Sequence, residues 1–270
     1  MTIPYPRIPP ELFRIGPIAV RWYGLMYLLA FIVGTRIARR RARRGLLPLD
    51  DHAIDGWVGY LVVGMIAGAR LTYIFLYDPR HFAADPSDAI AIWHGGLSFH
   101  GAILGMALAS VLFARRRDVP FWTLADTLAL AGPPGLCFGR IGNFINGELY
   151  GRATTVPWAM VFPADRLHLP RHPSQLYEAA GEGVVLFLIL RALERRSVGA
   201  GWYRPGLLGG GFLVGYGVIR FLIEFTRQPD AQLGFVIGSL SMGQLLSSLM
   251  IVLGAAILVV KHRSSSKMGA

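Results

Sequence analysis

Seven apolar runs of membrane-spanning length constrain this chain more than any other feature. They lie at about 17–35, 56–77, 94–114, 122–139, 175–193, 207–226 and 240–260. A helix rises 1.5 Å per residue, so about 20 apolar residues cross a hydrocarbon layer. Seven such runs exceed the core of one soluble domain. Of the 270 residues, 53% are hydrophobic and only 16% charged, against about 25% charged in soluble domains. A disordered chain is excluded and a soluble enzyme is disfavoured. The expected fold is all-α: a single integral membrane domain over residues 1–262, built as a bundle of seven transmembrane helices. A small external segment, 140–174, falls between spans 4 and 5, and residues 263–270 read as a disordered cytoplasmic tail. Gly132-Pro133-Pro134-Gly135 interrupts the fourth run, which predicts either a break at membrane depth or a kink between packed helices.

The net charge of +11 would suggest nucleic acid in a soluble protein. Here the basic residues alternate between loops and speak to topology, and no nucleic-acid partner is expected. Arg36, Arg39, Arg40, Arg41, Arg43 and Arg44 follow span 1; Arg115, Arg116 and Arg117 follow span 3; Arg191, Arg195, Arg196 and Arg204 follow span 5; Lys261, Arg263 and Lys267 lie in the tail. The intervening loops are poorer in cations. The positive-inside rule then places the N-terminus outside and the C-terminus in the cytoplasm. The first run is too long, and its flank too rich in proline, for a cleavable signal peptide. Gly64/Gly68, Gly101/Gly105 and Gly211/Gly215 have the spacing of close helix packing in lipid. The one cysteine, Cys137, excludes an intramolecular disulfide and reads as a packing residue.

A charge near the centre of a bilayer costs about 2.5–3.5 kcal/mol on insertion scales, so those that remain there need a reason. In span 6, Tyr216, Arg220 and Glu224 are spaced i, i+4, i+8 and share a helix face, with Arg227 two turns after Arg220. An Arg220–Glu224 pair that only fixes packing is one reading, but it leaves Tyr216 and Arg227 unexplained. A second polar set runs Gly139-Arg140-Ile141-Gly142-Asn143-Phe144-Ile145-Asn146-Gly147-Glu148-Leu149-Tyr150-Gly151-Arg152 after span 4. Its glycines permit close backbone approach and its arginines offer forked donors to phosphate. His100, in Gly95-Gly96-Leu97-Ser98-Phe99-His100-Gly101, and Tyr23, near the start of span 1, lie on the same expected side. Arg171-His172-Pro173-Ser174-Gln175-Leu176-Tyr177-Glu178 leads into span 5. There Pro173 suits a helix start, Ser174 a cap, and Gln175 and Glu178 positions facing the membrane interface. The clustered cations have few balancing carboxylates, which suits an anionic ligand, and phospholipid headgroups are the plentiful anions of a bilayer. No HExxH or Cys/His cluster suggests a metal, and no cofactor is expected.

GRIGNFINGELYGR closely resembles the signature of bacterial prolipoprotein diacylglyceryl transferases. The resemblance extends to RWYGLMYL (21–28), GGLSFHG (95–101), RHPSQLYE (171–178), the span 6 face with RQPDAQ (227–232), and SMGQ (241–244), in the family's order. It implies a multi-pass enzyme of the bacterial cytoplasmic (inner) membrane that performs the first step of lipoprotein maturation. Such enzymes move the diacylglyceryl group of phosphatidylglycerol to the lipobox cysteine of a prolipoprotein signal peptide, forming a thioether and releasing glycerol 1-phosphate. Partners implied are phosphatidylglycerol, prolipoproteins and membrane lipid. The resemblance assigns Arg140 and Arg220 to the phosphate, and Asn143, Asn146 and Glu148 to binding the headgroup or orienting Arg140. Tyr23 and Tyr216 line the site, Glu224 and Arg227 complete the polar face, and His100 is a base for the thiol, with an arginine as the alternative. An anion transporter would instead need polar residues across the full bilayer. A headgroup phosphatase would need a nucleophile or acid–base pair beside the cations.

Overall fold

The computed structural model describes residues 2–6, 8–16, 18–228, 235–238 and 240–266. Helices dominate, as the apolar runs predict, and three two-stranded antiparallel sheets occur among the described residues. The chain divides into two compact units, Met1–Ile37 with Asp126–Ala270, and Ala38–Ala125.

In the first unit, β1 (Glu11–Ile15) and β2 (Ile18–Arg21) form an antiparallel hairpin. Its second strand occupies the start of the first apolar run. The helix α1 (Trp22–Arg43) therefore begins later than expected. The helix α5 (Phe121–Asn146) passes unbroken through Pro133 and Pro134, so the predicted break at Gly132–Gly135 is corrected. Each proline removes one i→i−4 bond, but small residues let neighbours brace the stretch. A Cβ on Gly135 would lie 3.6 Å from that of Ala30, one on Gly34 3.6 Å from that of Ala131, and one on Gly132 3.5 Å from the Phe212 ring. After β3 (Met160–Val161) and β4 (Pro170–Arg171) come α6 (Ser174–Glu178), a π-helical segment Ala179–Val185, and α7 (Leu186–Gly199). The helix α8 (Leu207–Ile223) is followed by the hairpin β5 (Phe235–Ile237) and β6 (Leu240–Ser241), then α9 (Met242–Ser266). Because α9 continues to Ser266, residues 263–266 are helical where a disordered tail was expected. Residues 267–270 lie outside the described residues.

Buried Asp126 fixes the start of α8. It accepts hydrogen bonds from the backbone N–H of Gly206 (3.0 Å) and Gly209 (2.8 Å) and from the Tyr203 hydroxyl (2.6 Å). Those amides would otherwise be orphaned at a helix N-terminus. Glycines then let α8 and α9 approach closely. A Cβ on Gly254 would meet the Gly210 carbonyl at 2.8 Å, and one on Gly217 would meet the Ser247 carbonyl at 2.8 Å. The predicted Gly211/Gly215 pair serves a different contact, accepting leucine side chains of α7.

In the second unit, α2 (Asp51–Thr72) and α4 (Phe99–Arg117) pack together. Between them lie a π-helical turn Tyr73–Tyr77, the short α3 (Pro79–Ala84) and two 3₁₀ turns. Here the expected small-residue packing is found. A Cβ on Gly105 would sit 1.9 Å from the Gly64 carbonyl oxygen, and one on Gly101 2.3 Å from that of Gly68.

Asp51–Tyr77 and Met242–Lys261 are helical stretches long and apolar enough to cross a membrane, and Leu207–Ile223 is a shorter apolar helix. Burial is inverted relative to a water-soluble domain. Leu76, Leu104, Leu108 and Leu188 are exposed, while Asp126, Glu178, Glu182 and Glu194 are completely buried. Broad apolar surface of this kind is stable against lipid and not against water.

Candidate active site

The site assembles on the inner faces of α5, α6 and α8 with the π-helical segment. Gly139–Asn146 forms the last turns of α5, so the first half of the glycine-rich motif continues the helix where the external segment was expected to begin at residue 140. Gly147, with φ of +70°, reverses the chain after the helix. The Tyr5 hydroxyl closes the end by donating to the carbonyls of Phe144 (2.5 Å) and Ile145 (3.1 Å). Leu149 adopts a left-handed φ of +58°, a strained choice costing about 1–3 kcal/mol that surrounding contacts must hold. Gln175 Nε2 donates to the Glu148 carbonyl at 2.6 Å and Ser174 Oγ to the Leu149 carbonyl at 3.1 Å. These bonds correct three expectations. Ser174 grips the motif and does not cap its own helix. Gln175 and Glu178 are fully buried and do not face the membrane interface.

Glu178 is the centre of the site. Its Oε2 accepts from Arg220 Nη1 at 2.9 Å and pairs ionically with Arg140 Nε at 2.9 Å, and its Oε1 accepts from Arg227 Nη1 at 2.6 Å. Arg220 Nη2 reaches Glu224 Oε2 at 2.9 Å, and Arg227 Nε lies 3.4 Å from the same oxygen. Glu182 Oε1 stands 3.5 Å from Arg220 Nη1. Neither oxygen of Glu182 has a hydrogen-bond partner among the described residues. The expectation of cations with few balancing carboxylates is thus corrected: three arginines meet three glutamates. Arg220 does pair with Glu224, but as part of this larger network. The π-helical segment begins immediately after Glu178 and carries Glu182; such widened turns recur at functional sites.

The carboxylates lie behind the guanidinium groups. Glu178 and Glu182 side chains are 0% exposed, whereas those of Arg140, Arg220 and Arg227 are 18%, 14% and 13% exposed. Arg140 joins the network through Nε, 2.9 Å from Glu178 Oε2, and its side chain is the most exposed of the three. A guanidinium carries five N–H donors. The arrangement is a fixed set of forks suited to a phosphate oxygen.

The other expected site residues divide between the two units. Tyr23 lies on bare Gly142, where a Cβ would come within 2.8 Å of its ring, and meets Tyr27 edge-on at 5.2 Å. Tyr216 stacks on Phe212 at 5.6 Å and interacts with Glu182, Arg220 and Arg140. Asn143 and Asn146 both donate to Glu148 Oε1, at 2.8 and 3.1 Å. Arg140 turns to Glu178, so Glu148 orients the asparagines in place of Arg140. His100 belongs to the second unit, exposed on the first turn of α4 with its ring against Phe99. The SMGQ motif holds Glu224: Ser241 Oγ donates to Glu224 Oε1 at 3.0 Å, and a Cβ on Gly243 would fall 2.7 Å from the carboxyl. Of RQPDAQ, residues 229–232 lie outside the described residues. Glu178 and Glu182 were missed as site residues. Their signal was present as two carboxylates four residues apart in or beside an apolar run.

The segment between α5 and α6 anchors the site from one side. Gly151 and Arg152 pair with the chain after α8, through Arg152 N to the Thr226 carbonyl (2.9 Å) and Arg152 Nε to the Arg227 carbonyl (2.6 Å). Beneath them Arg171 Nε donates to Asp165 Oδ2 at 2.6 Å and Nη2 to Oδ1 at 3.0 Å, with the guanidinium 5.0 Å from the Tyr150 ring centroid. The Arg171 bonds, reinforced by backbone N–H groups of Leu169 and Leu167, hold the Asp165 carboxyl down to about 2. In an unfolded chain an aspartate titrates near 3.9. The pair therefore stabilises this segment fully above about pH 4 and is lost as pH falls toward 2. Hydrogen exchange of residues 150–171 should accelerate over that interval, and Asp165→Asn should remove the acid-dependent step.

A mostly helical chain with apolar helices long enough to span a membrane and a buried arginine–glutamate network defines a membrane protein built around an ion-pair cluster. Sequence comparison is narrower. Residues 10–260 match the prolipoprotein diacylglyceryl transferase family model. The phosphatidylglycerol–prolipoprotein diacylglyceryl transferase of Geobacter sulfurreducens is 50% identical over 261 residues, covering 96% of this chain and 97% of that protein. Those of Bordetella bronchiseptica and Pasteurella multocida are each 45% identical, covering 97% of this chain and 99% and 96% of theirs. The chain belongs to the prolipoprotein diacylglyceryl transferase family.

Proposed function

We propose that this protein transfers the diacylglyceryl group of phosphatidylglycerol to the lipobox cysteine of prolipoproteins, and that the Arg140–Arg220–Arg227 cluster around Glu178 receives the phosphate. The observation that carries the reading is the geometry of that cluster: three partly exposed guanidinium groups held by fully buried carboxylates. The cysteine sulfur forms a C–S bond to the glyceryl carbon as the C–O bond to phosphate breaks. The thiol proton passes to a base and glycerol 1-phosphate leaves with the added charge. A thiolate is the competent nucleophile. Donors fixed before reaction stabilise the departing phosphate at little reorganisation cost. Tyr23 and Tyr216 line the headgroup space, Asn143 and Asn146 bind its hydroxyls from the Glu148 side, and Glu224 keeps Arg220 and Arg227 aligned. His100 takes the thiol proton, because a guanidinium holds its own proton too firmly to act as a base.

The same reading takes the chain as a single seven-span domain of the bacterial inner membrane, N-terminus outside. Two long apolar helices, exposed leucines and the alternating basic loops support it. Both substrates then enter laterally between helices.

The test is purified protein in proteoliposomes with phosphatidylglycerol and a lipobox peptide. A cysteine-dependent mass gain of one diacylglyceryl group, with release of glycerol phosphate, is expected. Arg140→Ala should lower the rate by about 10²–10³, the scale of losing one preorganised donor to developing charge. Normal turnover by correctly inserted Arg140→Ala would remove it from the phosphate site.

A further inference from the structure

Arg70 is a charge inside the second apolar run that neither the family motifs nor the arginine cluster uses. It is buried in the second unit, at the C-terminal end of α2. Its guanidinium spends itself on backbone carbonyls: Nε donates to Ala89 (3.0 Å), Nη2 to Asp88 (2.5 Å), and Nη1 to both Gly95 (2.7 Å) and Gly96 (3.0 Å). Phe82 lies under it, 4.9 Å from ring centroid to Cζ. A planar fork with five donors can join four carbonyls of one irregular loop; an ammonium cannot.

We infer that Arg70 is the positioning residue for His100, fixing through Gly95 and Gly96 the segment from which the base is presented to the thiol. This rests on the reading of His100 as that base. Gly95 and Gly96 have φ of +91° and +72°, a conformation glycine adopts without strain. It turns their successive carbonyls onto Arg70 Nη1. A Cβ on Gly96 would lie 2.7 Å from that nitrogen and 2.8 Å from the Tyr73 ring, so the glycine is required by close approach as well as by backbone angle. The residues that follow are pinned to the same end of α2. The Ser98 amide donates to the Ala69 carbonyl at 3.0 Å, and Ser98 Oγ accepts from the Gly101 amide at 3.3 Å to cap α4. Bare Gly101 rests on the Gly68 carbonyl and on Thr72. His100 stands between two residues so fixed. Its ring is exposed, so its placement depends on this backbone frame and little on side-chain packing. Removing the fork frees four carbonyls and the glycine turn while His100 itself is unchanged.

The experiment compares Arg70→Gln, Arg70→Lys and His100→Gln in the proteoliposome assay from pH 7 to pH 9. A free thiol of pKa near 8.5 ionises unaided across this range, so a defect in thiol deprotonation shrinks as pH rises. Arg70→Gln and His100→Gln should each lose on the order of tenfold or more at pH 7 and recover to within about threefold of the parent at pH 9. The double variant should be no worse than His100→Gln alone. Arg70→Lys keeps the charge without the fork; it should show the same pattern at smaller amplitude, and it serves if Arg70→Gln does not insert. Hydrogen exchange of residues 95–101 should quicken in both Arg70 variants, with α8 unaffected. An Arg70 loss that persists at pH 9 while that of His100→Gln recovers overturns the inference and leaves the base reading standing. Loss that persists in both variants, or full activity of His100→Gln, overturns the base role and the inference with it. Unchanged exchange at 95–101 also overturns it.

Discussion

Replacing Glu178 with glutamine should reduce transferase activity by at least about 10²-fold and lower thermal stability together. One carboxylate receives Arg140, Arg220 and Arg227 at 2.6–2.9 Å. Glutamine keeps the volume and one acceptor oxygen but removes the charge and turns a donor toward the arginines. Removing one partner of a buried ionic group costs about 3–5 kcal/mol, because the remaining charges stay desolvated. The catalytic effect has a separate origin. Catalysis by fixed donors depends on their being aimed before charge develops, and three guanidinium groups lose their common aiming point at once. Binding and turnover should divide accordingly: affinity for phosphatidylglycerol falls modestly, while the rate at saturating lipid falls strongly. Thermal unfolding of the purified protein and glycerol phosphate release at saturating lipid measure the two effects. A variant that unfolds earlier yet turns over normally would show Glu178 to be structural only.

What the sequence disclosed and what it hid follow from the physics of each signal. The helices and the Tyr216–Arg220–Glu224–Arg227 face were legible because helical periodicity and the cost of charge in apolar runs are local properties. The glycine motif was legible as a site but not as helix, because four glycines and two asparagines in 14 residues read locally as turns. Its helical half is imposed from outside, by Tyr23 on Gly142 and by Tyr5 on the helix end. The prolines of α5 likewise read as a break and are held helical by α1 and α8. Glu178 was the largest omission. Counted from the start of its run it reads as an interfacial residue, and only the folded chain brings Arg140 of α5, Arg220 of α8 and Arg227 just beyond α8 to it. Arg70 was overlooked for the opposite reason: its partners are backbone carbonyls, which leave no trace in residue type.

Gly105→Val should be among the most destabilising single changes in the second unit, and its contrast with a neighbouring glycine makes the cause measurable. In lipid the apolar side chains of α2 and α4 gain little by meeting one another, so close backbone packing holds the pair. A Cβ at residue 105 would stand 1.9 Å from the Gly64 carbonyl oxygen and 3.0 Å from the Gly68 Cα. The obstruction is main chain, which cannot swing aside, so the helices must separate. Overpacking costs about 1–3 kcal/mol where side chains can yield, and the upper end is expected here, with loss of Cα–H···O contacts worth about 0.5–1 kcal/mol each. Gly59 sits in the same helix α2 with nothing within 4 Å of a built Cβ. Gly59→Ala should therefore stabilise by up to about 1 kcal/mol through helix propensity alone. Thermal unfolding of both variants in one detergent tests the pair. Equal midpoints would mean that the four-glycine contact does not hold α2 to α4.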